Sequence, residues 1–374
     1  MGSDMLKRTA ENAVWLNRYR VRAEILARLI TLHYDNLLDR PRQTADNDKL
    51  AESIGCWMPC LLVAGIEEPE KLTTTNGGGL QILIAGEDNS NSLLNLIQQL
   101  HINLRCCRDF LPQEIFDTLS QLCLHASQVL SLSSNANSVI AILRDIVLQM
   151  MTINGQMEQR MAHNHIYRFL KAGELIERAD LATRVLEMTE DSAFRESPVL
   201  QLVSDQSSKN EKQSGTDNNK RKSTRSALSR QTIRNLAMRA MAVDPSNTGA
   251  QVGPTVLPAP GIVDMRVVQK LLQDINQPQS LAFCITELEK HLSDLDPKQL
   301  AAKRCRELLR KVLFIDNTRS EWSKEDFISI IDDYQTEVSD MYLDIFDRYM
   351  RSETSREINA GNFGSNALNR NAQS

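Results

Sequence analysis

The chain lacks the features that mark membrane and secreted proteins. No apolar run approaches the roughly 20 residues that a membrane span needs. Lys7, Arg8 and Glu11 interrupt the start of the chain before any signal peptide could form. Glycine and proline are sparse, at 15 and 11 of 374 residues, and aromatic residues make up only 5%. We therefore expect a cytoplasmic protein, and its 41% of hydrophobic residues is enough for a real core.

The sequence also lacks the usual signatures of a metal or nucleotide site. Its seven cysteines are odd in number and form no C-x-x-C pair, which indicates reduced thiols rather than disulfides or zinc. His163 and His165 lack the i to i+4 spacing of a helical metal pair, and no Glu-x-x-His motif of a di-iron bundle occurs. The run Gly77-Gly78-Gly79 is not followed by the Lys-Ser/Thr of a phosphate loop. The sequence therefore predicts no metal and no cofactor, and a net charge of −5 gives no general attraction to nucleic acid.

Apolar residues at helical spacing recur along most of the chain, which predicts an all-α protein folded as a multi-helix bundle. The clearest strand signal is one short run, from Leu80 to Ala85. Helices are predicted at 5–38, 91–109, 112–131 and 136–187, the last with a break near Gly155, and again between 263 and 350.

These helices define four predicted regions. Residues 5–196 form an N-terminal helical block, and residues 263–350 form a C-terminal block that packs on it. Between them, residues 197–262 contain a polar stretch with Lys220-Arg221-Lys222 and several prolines, which predicts a disordered or extended insertion. Residues 351–374 are rich in serine and asparagine and are expected to form a flexible tail.

Two of the predicted helices carry the same order of charges on faces that should be buried. Arg22-Ala23-Glu24 with Arg28 in the first corresponds to Arg178-Ala179-Asp180 with Arg184 in the second. Other charged residues that project into the apolar arcs are Glu11, Arg18 and Glu174. Charges on a core face are costly to bury unless they are paired or bound to a ligand. We therefore expect an internal pseudo-repeat whose two helices pack on each other through these charges.

The spacing of the charges predicts specific ion pairs. Glu24 and Arg28 stand at i to i+4, in the order that supports an isolated helix, and Asp180 repeats this with Arg184. Arg18 and Arg22 are like charges on one face and repel each other. They need carboxylates from another helix, such as Glu174 or Glu177, or an anionic ligand. The candidate binding residues are Glu11, Arg18, Arg22, Glu24, Arg28, His163, Glu174, Glu177, Arg178, Asp180 and Arg184.

These residues admit two interpretations. A buried Arg/Glu network could fix how the two helices pack, because such networks can specify helix register. Alternatively, the residues could line a groove that binds a carboxylate, a phosphate or a peptide end, extended by Arg160, His163 and Tyr167. A lone histidine such as His163 is more often a satisfied core residue than a catalyst.

Several short motifs resemble those of one family. They are Met5-Leu6-Lys7-Arg8-Thr9-Ala10-Glu11-Asn12, Trp15-Leu16, Arg18-Tyr19, Arg22-Ala23-Glu24, Asn103-Leu104-Arg105 with Arg108, Phe169-Leu170, Gly173, Glu177-Arg178-Ala179-Asp180, Arg184 and Pro278-Gln279-Ser280. With these motifs the chain resembles the alpha-E family of bacterial all-helical proteins over most of residues 5–350. It departs from the family pattern at Val21, where a glutamate is usual, and at Glu174 and His163, where arginines are usual.

The resemblance implies a function in forming peptide or amide bonds, because alpha-E genes commonly lie beside, or are fused to, a circularly permuted ATP-grasp ligase. The implied protein is a helical accessory partner that binds a peptide or carboxylate, or positions the ligase, through the Arg/Glu-lined groove. One alternative is an enzyme in its own right, with Glu177 or Glu24 as general base. Another is a nucleic-acid adaptor acting through residues 209–239, and assembly into a homo-oligomer stays open.

Overall fold

The structure is a computed structural model, and it describes most of the helical part of the chain. The described residues are 2–38, 78–86, 89–132, 136–190, 269–295, 300–314 and 324–349, together with 57, 60, 61, 64, 66 and 241. Their α-helices are α1 (Gly2–Leu38), α2 (Gly79–Ala85), α3 (Leu93–Cys106), α4 (Gln113–Leu132), α5 (Ala136–Arg160), α6 (His165–Glu190), α7 (Leu281–Ser293), α8 (Leu300–Leu313) and α9 (Lys324–Tyr349). A 3-10 turn spans Arg108–Phe110 and a π-helical turn spans Gln269–Gln273. The described residues contain no strand, so the predicted all-α bundle is confirmed.

Eight of the described helices form two rings of four. In the first ring α1 contacts α3, α3 contacts α4, α4 contacts α5, and α5 returns to α1. In the second ring α6, α7, α8 and α9 follow the same order, and α9 returns to α6. The two rings meet where α1 packs on α6, and α2 lies against α3 and α4. The helices that carry the sequence repeat therefore occupy the same position in their respective rings and pack on each other, as predicted.

This central position leaves α1 and α6 with little solvent-facing surface. Each contacts two neighbours of its own ring and also the first helix of the other ring. Three charged side chains on these helices are consequently buried as deeply as apolar ones, since Arg20, Glu174 and Glu177 are each at most 1% exposed. Such burial is tolerated only where the charges are neutralised locally.

Two details of the secondary structure differ from the sequence prediction. The break in the predicted helix 136–187 falls at residues 161–164 and not at Gly155, which lies inside α5. At this break Asn164 begins the next helix, because its side-chain oxygen accepts a hydrogen bond from the backbone N–H of Tyr167 at 3.1 Å. The weak strand signal at Leu80 to Ala85 is wrong, since these residues lie in α2. A short apolar run does not distinguish a buried strand from a buried helix.

By length and composition alone, one helix is apolar enough to span a membrane, contrary to the prediction from the sequence. Ser138–Arg160 in α5 passes that test, as the core helix of a soluble protein also does. The helix packs on α1 and α4, and Met150 and Ile153 on its inner face are fully buried.

Most of the predicted insertion 197–262 and all of the predicted tail 351–374 lie outside the described residues. The exception is Met241, which is 2% exposed and belongs to the hydrophobic core. At least this position of the insertion is therefore packed rather than solvated.

Candidate functional site

The contact between α1 and α6 carries two clusters of charged residues, one around each buried glutamate. The Glu177 cluster consists of Arg18, Arg22, Glu177, Asp180 and Arg184, with Asn91 at its edge. The Glu174 cluster consists of Arg20, Glu24, Arg28, Glu158, Lys171, Glu174 and Arg178, with Asn17 and Asn154.

In the Glu177 cluster, one carboxylate holds two arginines of the other helix. Arg22 grips Glu177 through Nε at 2.6 Å and Nη2 at 2.9 Å. Arg18 donates from Nε to the same carboxylate at 2.9 Å. Glu177 is therefore the carboxylate from another helix that the two like charges on one face of α1 were predicted to need.

Arg18 is also held by aromatic rings from two helices. Its guanidinium carbon lies 4.8 Å from the centre of the Trp15 ring and 4.9 Å from that of Tyr342 in α9. Cation–π contacts of this kind stabilise a partly desolvated arginine. The Glu177 cluster therefore links α1 to both α6 and α9.

The outer part of the Glu177 cluster borders a small cavity. Asp180 pairs with Arg184 at 3.0 Å, as predicted, and Arg22 Nη1 lies 3.4 Å from the side-chain oxygen of Asn91. Burial raises the pKa of Asp180, although Arg184 opposes the rise. Arg22, Arg184 and Asn91 line a cavity of about 20 Å³ whose remaining lining is mostly leucine and isoleucine.

In the Glu174 cluster, the carboxylate is shared by three basic residues. Lys171 donates to Glu174 at 2.9 Å, and Arg20 Nη2 lies 3.5 Å away. Arg178 Nη2 forms an ion pair with Glu174 Oε1 at 2.5 Å. Glu174 is fully buried, so these cations stabilise its negative charge in place of water.

Arg20 lies at the centre of this cluster, and the sequence analysis did not include it among the candidate residues. Its Nε donates to the side-chain oxygen of Asn17, its Nη2 to that of Asn154 in α5 at 3.2 Å, and its Nη1 to Glu24 at 3.3 Å. Glu24 holds Arg28 as well, at 2.7 Å, which is the predicted i to i+4 pair. Arg20 thus joins α1, α5 and α6 through one side chain.

Two predicted site residues lie outside both clusters. His163 is exposed in the break just before α6, where its ring stacks on that of Tyr167 with centroids 4.1 Å apart. Tyr167 in turn donates to Glu158 at 2.6 Å, so His163 reaches the Glu174 cluster only through other side chains. Glu11 is partly exposed, and burial raises its pKa. The ion pairs between α1 and α6 among the described residues involve Arg18, Arg20 and Arg22 but not Glu11, so a part for Glu11 in joining the two helices stays a prediction.

The electrostatics keep both central glutamates ionised. Burial by itself would raise the pKa of Glu177, but Arg22 and Arg18 outweigh it and the pKa lies below the ordinary value. In the same way burial opposes ionisation of Glu174, while Arg178, Arg20 and Lys171 lower its pKa to about 2. A general base works best with a pKa near the operating pH. These two carboxylates are therefore suited to holding cations and poorly suited to accepting protons at neutral pH.

No metal site was found among the described residues, where no group of three or more histidine, cysteine, aspartate or glutamate side chains could hold an ion. The buried thiols have raised pKa values because burial disfavours the thiolate, as for Cys123 at about 12. Reactive cysteines have lowered pKa values.

The comparisons with known proteins identify the family. The chain matches the Alpha-E family model, described as a predicted alpha-helical domain with a conserved ER motif, over residues 5–241 and 260–350. No curated protein and no solved structure matches the chain. The sequence contains a single Glu-Arg dipeptide, Glu177-Arg178, and its two side chains lie in different clusters: Glu177 binds Arg18 and Arg22, and Arg178 pairs with Glu174. The chain therefore belongs to the Alpha-E family.

Proposed function

We propose that the protein is a non-catalytic helical partner of a circularly permuted ATP-grasp ligase. In this proposal both proteins act in the cytoplasm, and the ligase forms a peptide or amide bond. The observation that carries the non-catalytic part is the pairing of both central glutamates. Glu177 holds two arginines and Glu174 holds three basic side chains, and the pKa of each glutamate is lowered. Carboxylates that are fully engaged in this way favour a scaffold over an active site.

The size of the cavities supports the same choice. The cavities beside the two clusters measure about 20 and 30 Å³, whereas sites for small molecules usually enclose roughly 300–1,000 Å³. Within the described residues, neither cavity holds a peptide substrate and a general base together. The rival interpretation of an enzyme with Glu177 or Glu24 as base is therefore less well supported.

The two clusters give such a scaffold a fixed geometry. Arg18 and Arg20 connect the first ring to α9 and α6, so the rings are joined by directional bonds as well as by apolar packing. A partner that must hold a ligase or its substrate in one orientation benefits from a rigid connection of this kind. Family membership supports the choice of the ligase as partner, since alpha-E genes commonly lie beside such ligase genes.

The test is co-expression of the full chain with a circularly permuted ATP-grasp ligase. We expect the two proteins to co-elute in gel filtration and the turnover of ATP by the ligase to rise when the chain is present. Lys303→Gln, which changes an exposed ion pair with Glu307, serves as a control and should leave both results unchanged. Product formed by the chain alone would favour the enzyme. Absence of a complex, with unchanged ligase turnover, would refute the partnership.

The alternative of a nucleic-acid adaptor depends on residues 209–239, which lie outside the described residues. It remains a prediction with its own test, because binding through a basic segment should weaken steeply as salt is raised. Binding that is insensitive to salt would remove it.

A further inference from the structure

The Glu174 cluster borders a cavity that contains two polar atoms without partners. The cavity measures about 30 Å³, and its lining includes Glu24, Arg28, Arg178, Met241 and Gln279. Arg28 Nε and Gln279 Oε1 are both buried, and neither has a hydrogen-bond partner. Buried polar atoms in native proteins are nearly always hydrogen-bonded, so two orphans beside one cavity indicate a polar occupant.

The charge of the cluster indicates the sign of that occupant. Its basic residues are Arg20, Arg28, Lys171 and Arg178, and its acidic residues are Glu24, Glu158 and Glu174. The cluster is therefore one negative charge short of balance. Arg28 uses Nη2 for Glu24, so its Nε–H stays available for an acceptor. Glu24 also lines the cavity, but Arg20 and Arg28 both neutralise it.

The size of the cavity and its hydrogen-bonding groups restrict the kind of anion that it can bind. A single water molecule needs roughly 10–15 Å³ measured in this way, so about 30 Å³ accommodates two oxygen-sized atoms. The two oxygens of a carboxylate group match this space, and a carboxylate supplies the negative charge that the cluster lacks. A half-turn of the Gln279 side-chain amide exchanges the positions of its oxygen and nitrogen. Gln279 can then donate a hydrogen bond from its N–H₂ to a carboxylate in the cavity. Arg28 and Arg178 are 22% and 18% exposed, so the site can be reached from solvent.

We propose that the cavity binds one carboxylate group between Arg28, Arg178 and Gln279. The carboxylate comes either from a small free acid or from an acidic side chain of the ligase partner. The second source rests on the proposed function, and the first does not.

The test uses sodium formate with the full chain, against sodium chloride at equal ionic strength. We expect formate to shift the arginine Nε resonance of Arg28 in ¹H–¹⁵N spectra and to raise the melting temperature more than chloride does. Arg28→Lys, which removes Nε and keeps the charge, should weaken formate binding by about tenfold or more. Gln279→Leu should also weaken it. Arg144→Lys is the matched control, because Arg144 pairs with Asp35 outside both clusters, and it should bind formate as the unmodified chain does.

Equal effects of formate and chloride, or formate binding that survives Arg28→Lys and Gln279→Leu, would overturn the proposal. If Gln279→Leu does not fold, the Arg28 resonance in the unmodified chain still decides the question. Competition between formate and the ligase would support the partner as the source of the carboxylate. Formate binding without such competition assigns the site to a free acid. A chain that binds formate but never binds the ligase keeps this site and loses the proposed function.

Discussion

Gly173 of α6 lies directly against the backbone of Val14 in α1. A Cβ atom at position 173 would lie 2.2 Å from the carbonyl oxygen of Val14, a distance that Cβ atoms essentially never show. Because the obstacle is backbone and cannot rotate away, Gly173→Ala should force the two helices apart. We expect the free energy of unfolding to fall by about 3 kcal/mol or more, measured by urea denaturation.

Gly155 provides the matched control for this prediction. It lies inside α5, and apart from its chain neighbours and the nearby backbone of its own helix, no atom comes within 4 Å of the position its Cβ would take. Gly155→Ala should therefore stabilise the protein by roughly 0.5–1 kcal/mol, because alanine loses less backbone entropy in a helix. Equal stability of the two variants would show that α1 and α6 do not pack as closely as the structure indicates.

Removing the Glu177 carboxylate should be among the most damaging single changes in the site. Glu177→Ala leaves Arg18 and Arg22 without their shared counter-charge, and we expect a loss of about 3–5 kcal/mol in the free energy of unfolding. Arg22→Ala should cost less, near the lower end of that range, because Arg18 still pairs with Glu177. Thermal and urea unfolding measure both.

Arg184→Ala is the comparison for the Glu177 cluster. Its ion pair with Asp180 lies at the edge of the cluster, where the Arg184 side chain is 36% exposed, so its removal should cost less than about 1 kcal/mol. A cost as large as that of Glu177→Ala would mean that the cluster acts as a single unit with its outer pair.

The pairing of Arg18 and Arg22 with Glu177 could be predicted because the argument needed only one helix. Two like charges on one face require a carboxylate, and a glutamate was available in the repeat. Arg20 could not be found in this way. Projecting a sequence onto a helix assumes that one side of the helix faces solvent. However, α1 is enclosed by α3, α5 and α6, so Arg20 is buried although it lies outside the apolar arc.

Side-chain contacts between residues far apart in the chain could not be predicted from the sequence either. Asn154 in α5 accepts from Arg20, and Tyr342 in α9 covers Arg18, yet neither residue belongs to a recognisable motif. Their roles depend on how the two rings close, and helical periodicity gives the faces of helices but not the order in which they meet. The ring order itself was predicted only in its central step, the packing of α1 on α6.

The lowered pKa of Glu174 predicts a loss of stability in acid. The pKa is about 2 in the folded protein, against an ordinary value of 4.5. A carboxyl group with a depressed folded pKa stabilises the protein fully above its unfolded pKa, and that contribution is lost as the pH falls from about 4.5 toward 2. Glu177 acts in the same direction, whereas Asp180, whose pKa is raised, acts in the opposite one.

Urea unfolding between pH 7 and pH 3 checks this dependence. Glu174→Gln removes the titrating group, so its free energy of unfolding should be lower at pH 7 and should fall less steeply below pH 4.5. Glu114→Gln, at an exposed position, should leave the slope unchanged. An unchanged slope in Glu174→Gln would show that other carboxylates control acid unfolding.

Met241 separates the parts of the predicted insertion that the core needs from those that it does not. Its side chain is 2% exposed and lines the cavity beside Arg28 and Arg178, so Met241→Ala should cost about 2–5 kcal/mol in the free energy of unfolding. Residues 242–259 lie outside both the family match and the described residues. Their deletion should leave the thermal melt unchanged, because the family model matches the chain on either side of them without including them. A deletion variant that melts early, together with a neutral Met241→Ala, would reverse the assignment and place the required packing after residue 241.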